Sequence, residues 1–340
     1  MVDNRKSHHA SHNDQTKSEM RLSLAGALDT MNGSGSKTGR MTPSVWKVNL
    51  MPNRDNEKFR IYVLSLKSST ERRERLANMF SEMGITNWEF FTPLPAERVQ
   101  VPYSAQAAFQ TRQSVLSTGE ISCAASHIGM LQDFLGSEDK YALIMEDDVH
   151  FDPFFNVGGL PDVLAKLELH YLKLYARYFV PSRYVASVGR WTFYRGSWPL
   201  LGTQAYVVSR NGANQFLKHL LSQAALERPI DDLMDRFWDT ELPITFIYPF
   251  PIMELGYNTT IHGAANRDAI AAENRKFQEL TGAANTARSL MAKIVEKYER
   301  RKWDRRFCAF DDALSARING HEKQISDFLI RADTAAPPAV

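Results

Sequence analysis

Residues 141–149 read YALIMEDDV, and this stretch decides how the rest of the chain is read. Five consecutive apolar residues make a run of strand length, and Glu146, Asp147 and Asp148 follow it without a spacer. A short buried strand that ends this abruptly puts three carboxylates at the carboxyl edge of a sheet, where open α/β folds bind ligands. Clustered carboxylates repel one another unless a cation joins them, and oxygen ligands suit Mg²⁺ or Mn²⁺, which in turn grip a diphosphate. An acidic turn capping the next element is the competing reading, and the triplet alone does not decide between the two.

Working outward, FRIYVLSL (59–66) is a second strand-like run. The helix predicted after it carries Leu76, Met79, Phe80 and Met83 on one side, with Ser69 or Thr70 as its cap and Gly84 just past its end. NWEFF (87–91) reads as a strand. Ser117 and Glu120 have the spacing of a capping box, opening a helix whose apolar side is Ile121, Ala124, Ile128, Leu131 and Leu135. Downstream come a helix near 160–168, strands at HYLKLYA (170–176) and TQAYVV (203–208), helices Asn211–Leu221 and Ile230–Trp238, and a strand at ITFIYP (244–249). Alternating strands and helices predict an α/β sheet with helices on its faces. From about 265 the pattern is helical only. Residues 1–57 are polar and low in periodicity and read as mostly disordered; His8, His9 and His12 within them are given no role.

The composition fits a globular protein with a sizeable core: 340 residues, 44% apolar and 24% charged. With 41 Lys+Arg against 39 Asp+Glu there is no global basic field, so nucleic acid is not an expected partner. Cys123 and Cys308 permit at most one bridge, which fits a reducing compartment. No apolar run is long enough to span a bilayer and the N-terminus has no signal-like apolar region, so the expected address is cytoplasmic. Residues 292–306 hold seven Lys/Arg and three Asp/Glu, a candidate for peripheral contact with anionic lipid at the inner face of a membrane.

The acidic triplet does not stand alone. RIYVLSLKSSTERRERL (60–76), TGEISCAASHIGMLQ (118–132), YALIMEDDV, GTQAYVVSRNGANQFL (202–217) and PIDDLMDRFW (229–238) occur in an order and spacing that resembles glycosyltransferase family 25. These are galactosyltransferase-like enzymes of bacterial lipooligosaccharide synthesis, related to the collagen galactosyltransferases. The resemblance covers about Phe59 to Ile261. It implies a GT-A-like, Rossmann-like nucleotide-sugar transferase fold over 58–263, followed by a helical C-terminal extension over 264–340. It also implies a UDP-sugar donor and Mn²⁺ (or Mg²⁺), with the triplet as the family's version of the DxD motif.

On that footing Glu146 and Asp148 are the metal-ligand candidates, since alternate residues of an extended strand exit project to one side, and Asp147 is assigned to ribose or donor sugar. Arg72 and Arg73, at the N-terminal turn of the first helix, match the family's basic pattern and suit a diphosphate; Arg75 reads as part of a solvated helix face. His127, with Ser126, either contacts the donor or packs its helix on the sheet. Ser122 stands where the family writes glycine, a change that could crowd a backbone approach. Cys123 reads as a small buried side chain. Gln204, with Gly202 and Thr203, is a candidate donor contact, and His262 a candidate third metal ligand. The resemblance puts Asp231 and Asp232 on the acceptor side, where an inverting transfer needs a base; capping of their own helix is the alternative. The implied activity is metal-dependent, inverting transfer of a hexose, galactose from UDP-galactose, to a saccharide or glycolipid acceptor. A catalytically degenerate nucleotide- or glycan-binding module and a metal-dependent phosphohydrolase are the alternatives.

Overall fold

The computed structural model describes residues 59–256 and 264–331. The segment 1–57 and the candidate ligand His262 lie outside the described residues. The chain runs β1 (Phe59–Leu64), α1 (Thr70–Glu82), β2 (Trp88–Phe91), α2 (Ala105–Arg112), α3 (Thr118–Gly136), β3 (Tyr141–Glu146) and β4 (Val149–Phe151). It continues through α4 (Leu160–Leu167), β5 (Tyr171–Lys173), β6 (Ser182–Val188), β7 (Trp191–Gly196), β8 (Ala205–Ser209) and α5 (Arg210–Leu221). The last elements are α6 (Ile230–Met234), α7 (Phe237–Thr240), β9 (Thr245–Tyr248), β10 (Ile252–Glu254), α8 (Ala264–Arg306), α9 (Cys308–Gly320) and α10 (Glu322–Leu329).

Eight strands form one mixed sheet in the order β2-β1-β3-β8-β5-β9-β7-β6, and β4 pairs with β10 separately. β1 is parallel to β2 and β3, whereas β8 runs antiparallel to both β3 and β5. Both faces are covered, which is why β3 and β8 carry near-continuous apolar runs rather than alternating with polar residues. Ile61, Val63, Leu143 and Met145 point into one core with Leu76 and Phe80 of α1 and Leu160 and Leu164 of α4. Tyr62, Ala142, Ile144, Tyr206 and Val208 point into the other, against Ile128 and Leu131 of α3 and Phe216 of α5.

The capping box forms as predicted: the Ser117 hydroxyl accepts from the Glu120 N–H, while the Glu120 carboxylate accepts from the Ser117 N–H at 2.7 Å. Three differences stand out. The segment predicted as one helix over 230–238 is two short ones, broken where Asp235 turns inward to Lys173. HYLKLYA is extended in the sheet only over Tyr171–Lys173. The hairpin β6/β7, at the sheet's edge, is not anticipated by the periodicity.

The C-terminal helices complete the first core. Leu314 and Ile318 of α9 and Ile325 and Leu329 of α10 are buried with Val185, Trp191 and Leu164. α10 is seated by Asn156, whose N–H and side-chain amide donate to the carbonyls of Leu329 and Phe328 at 2.9 Å. Gly159 permits this approach, because a Cβ there would lie 1.9 Å from the Phe328 carbonyl oxygen.

Candidate active site

The register of the sheet gathers the candidate residues. Leu64 lies beside Glu146, so β1 and β3 end together, and β8 starts opposite that end with Ala205 beside Met145. The turns after β1 and β3 and the segment entering β8 therefore meet at one edge. The Glu146 N–H donates to the Gln204 carbonyl at 3.0 Å, and the Thr203 hydroxyl donates to Glu146 Oε1 at 2.9 Å.

The three acidic side chains part ways there. Asp147 is buried, accepting from the Ser65 hydroxyl at 2.6 Å and from Arg72 at 2.9 Å. Asp148 is half-buried beside Glu254, and its Oδ1 is buried with no hydrogen-bond partner. Glu254 arrives through the β4/β10 pairing, with Glu254 opposite Val149, and accepts from the Tyr175 hydroxyl at 2.6 Å. Arg75 locks the turn by donating to the carbonyls of Asp147 and Val149 at 2.9 and 2.8 Å. That corrects the reading of Arg75 as a solvated side chain: it is a strut for the backbone that carries the triplet.

Arg73 lies 3.7 Å over the Phe90 ring and donates to the Ser65 carbonyl, so both Arg72 and Arg73 sit at the β1 exit. His127 is fully buried beneath the edge, with Nδ1 3.0 Å from the Tyr206 hydroxyl and Nε2 lacking a partner. Cys123, His127 and Glu146 bring one ligand-type atom each within 4.8 Å of one another. Ser122 and Ser126 face elsewhere: Ser122 donates to the Leu94 carbonyl and Ser126 accepts from the Leu94 N–H. The serine in the family's glycine position thus pins a loop rather than crowding one.

Asp231 accepts from the N–H groups of Gly202 and Asp232 at 2.9 and 2.8 Å. Gly202 has φ +82° and a Cβ there would meet Gln204 and Tyr175 under 3 Å, so the loop can present its N–H to Asp231 only with glycine in place. Gln204 is buried, its Oε1 without a partner. Asp232 pairs instead with Arg228 at 2.8 Å, and Arg228 and Arg236 both reach Glu296 of α8. A cleft of about 520 Å³ opens beside Glu254, lined by Tyr175, Arg177, Phe250 and Met253. A wider groove of about 730 Å³, past Arg60 and Gln132, holds none of these carboxylates.

Crowding of like charges leaves the edge under electrostatic load. Burial first, then Asp148, raises Glu146 to about 8; burial, then Glu254 and Asp147, raises Asp148 to about 6. A carboxyl whose folded value exceeds its ordinary 4.5 stabilises the fold fully below 4.5 and loses that contribution as pH climbs through 8. In EDTA, Tm of the wild type should therefore fall relative to Glu146→Gln between about pH 5 and pH 8. Parallel Tm curves across that interval would remove the load from Glu146.

Residues 59–234 match the family model "Glycosyltransferase family 25 (LPS biosynthesis protein)". The chain is 26% identical over 275 residues to the lacto-N-neotetraose biosynthesis glycosyltransferase LgtB of Neisseria meningitidis serogroup B, covering 72% of this chain and 95% of that protein. It is 30% identical over 107 residues to a glycosyltransferase 25 family member of Drosophila pseudoobscura pseudoobscura (29% of this chain, 17% of the relative), and 26% identical over 188 residues to one of Aedes aegypti (51% and 30%). The chain thus spans less than a third of the insect relatives' length. With more than half its length inside the family match, the chain belongs to glycosyltransferase family 25 and is a glycosyltransferase.

Proposed function

We propose that the chain carries out metal-dependent, inverting transfer of a hexose, galactose from UDP-galactose, to a saccharide acceptor on a glycolipid, on a GT-A-type scaffold. One observation carries this reading: a buried Asp148 oxygen without a partner, on a side chain that feels the charges of Glu146 and Glu254 at the edge where β1 and β3 end. Hard oxygen ligands that repel one another are what a site for Mn²⁺ or Mg²⁺ requires, so the residues fit the ion. Glu146 and Asp148 would hold it, with Glu254 beside them and His262 as a further candidate. When bound, such an ion supplies positive charge against the diphosphate leaving group.

The chain's own residues do the rest. Arg177, exposed on the cleft beside Glu254, suits the diphosphate or the nucleotide, and Arg72 and Arg73 suit it from the β1 exit. Asp147 orients Arg72, and Gln204 presents a buried amide oxygen toward the donor sugar. In the transfer, the acceptor oxygen bonds to the anomeric carbon as the bond from that carbon to the diphosphate oxygen breaks. The acceptor proton passes to Asp231 or Asp232. Asp231 is pre-oriented by two backbone N–H groups and Asp232 by Arg228. The match to LgtB over nearly all of that protein's length supports a glycan acceptor.

Calorimetric titration with UDP and a panel of UDP-sugars, in Mn²⁺ and again in EDTA, tests the donor half. Metal-dependent binding that favours UDP-galactose is the expected result; equal binding in EDTA would remove the carboxylates from their role. Separate Asp231→Asn and Asp232→Asn variants test the acceptor half. The base should lose at least about a hundredfold in kcat with donor affinity unchanged, and the other residue far less. Equal, small losses would exclude both.

A further inference from the structure

From the outward face of α8 between Leu290 and Arg306 we infer a docking surface for an anionic lipid bilayer, on the same helix that braces the acceptor-side carboxylate. The inference rests on the proposed glycolipid acceptor for its purpose but on separate observations for its evidence. The inward side of this helix is fully engaged. Glu296 pairs with Arg228 and Arg236, Arg300 is buried 3.1 Å over the Trp198 ring, and Asp304 pairs with Arg195. Positions 296, 300 and 304 recur every fourth residue and so define one face.

The opposite side holds Leu290, Met291, Ile294, Val295 and Tyr298, each between 52% and 66% exposed. Their spacing of i, i+1, i+4, i+5 and i+8 makes one continuous apolar stripe. Lys293 and Lys297 border the stripe, and Arg301 and Arg305 extend it along the helix. Among the described residues no acidic side chain pairs with any of these four cations. The acids of the segment are all spent elsewhere: Glu296 and Asp304 inward, and Glu299 on Lys302 at 2.8 Å. Residues 290–306 therefore form a strip about 24 Å long, at about 1.5 Å per residue, that is apolar at one end, cationic at the other and free of unpaired negative charge.

That combination names its partner. An apolar stripe alone would serve a second copy of the chain equally well, but a row of unpaired cations recurring every fourth residue beside it would repel its own copy and attract anionic headgroups. Apolar side chains enter the acyl boundary while Lys and Arg stems lie along it with their charges in the headgroup layer. No helix among the described residues is long and apolar enough to cross a membrane, so contact of this kind would be peripheral. Because Glu296 reaches Arg228, and Arg228 reaches Asp232, the lipid-facing strip and the acceptor side of the site lie on opposite sides of one helix. Arg300, although part of the basic segment read from the sequence, belongs to the inward face and is left out of the surface.

The test is flotation of the full chain with vesicles of phosphatidylcholine alone or with 30% phosphatidylglycerol as the anionic component, together with sedimentation velocity without lipid. The wild type should float with the anionic vesicles and not the neutral ones. Lys297→Glu/Arg301→Glu/Arg305→Glu should weaken that binding by at least about a hundredfold, at about fivefold for each cation lost. Ile294→Ser/Tyr298→Ser should abolish flotation, and both variants should keep wild-type transfer to a water-soluble saccharide acceptor. Undiminished flotation of both variants, or no flotation of the wild type, would overturn the inference, as would a lipid-independent dimer dissolved by Ile294→Ser/Tyr298→Ser. Loss of transfer to the soluble acceptor in the wild type would instead refute the proposed activity and leave the lipid contact standing.

Discussion

Replacing Asp148 with Asn should lower kcat by at least about 10³-fold while Tm in EDTA stays level or rises by a few degrees. The first half follows from position: Asp148 is the carboxylate of the triplet with an oxygen left unpartnered, and removing its charge removes the pull on a cation that the departing diphosphate needs. The second half follows from load. Burial and the neighbouring Glu254 hold Asp148 near 6, so at neutral pH its charge is a cost to the fold that Asn does not carry. In Mn²⁺ the wild type should gain Tm and the variant should not. Turnover within tenfold of wild type, or an equal Mn²⁺ shift in the variant, would refute the assignment. Asp147→Asn should behave differently and destabilise, because that side chain is bound to Ser65 and Arg72.

Lys173→Met should cost about 3–5 kcal/mol of stability, because it leaves a buried carboxylate without its counter-charge. Lys173 Nζ donates to both oxygens of Asp235 at 3.1 and 2.8 Å, and both side chains are shut away from solvent. The same carboxylate accepts from the N–H groups of Leu200 and Leu201, the two residues before Gly202. The pair therefore anchors the loop that delivers Gly202, Thr203 and Gln204, and the variant should lose activity at temperatures where it is still folded. Lys173→Met/Asp235→Asn should recover part of the loss, since Asn still accepts from both N–H groups without a buried charge. Urea denaturation curves would check this; a change below about 1 kcal/mol in the single variant would show the pair to be dispensable.

Local chemistry was readable wherever a short stretch carried its own instructions. The strand-plus-acid pattern at 141–148, the capping box at Ser117 and Glu120, and the apolar spacing after Thr70 all correspond to elements of the structure. What could not be read depends on partners distant in the chain. Nothing near Glu254 says that β10 will pair with β4 and bring a fourth acid to the triplet. Asp235 breaks the predicted helix over 230–238 because Lys173, 62 residues earlier, captures it. Arg75 looks like any exposed helical arginine until the turn it binds is folded beneath it. The hairpin β6/β7 leaves little signal in the sequence because exposed apolar residues at the sheet's edge, such as Tyr184, blur the alternation.

The order of strands also sets a timetable for synthesis. β8 takes its place between β3 and β5, and β9 between β5 and β7, although each emerges after both of its neighbours have been made. The β1/β2/β3 group and the β6/β7 hairpin can assemble early from chain already released, but β5 and β7 must wait with open backbone edges until Tyr248 is available. Closure of the sheet is thus a late event on the ribosome, and a polypeptide interrupted between 209 and 245 carries one unfilled slot, between the open edges of β5 and β7, into which other chains can insert.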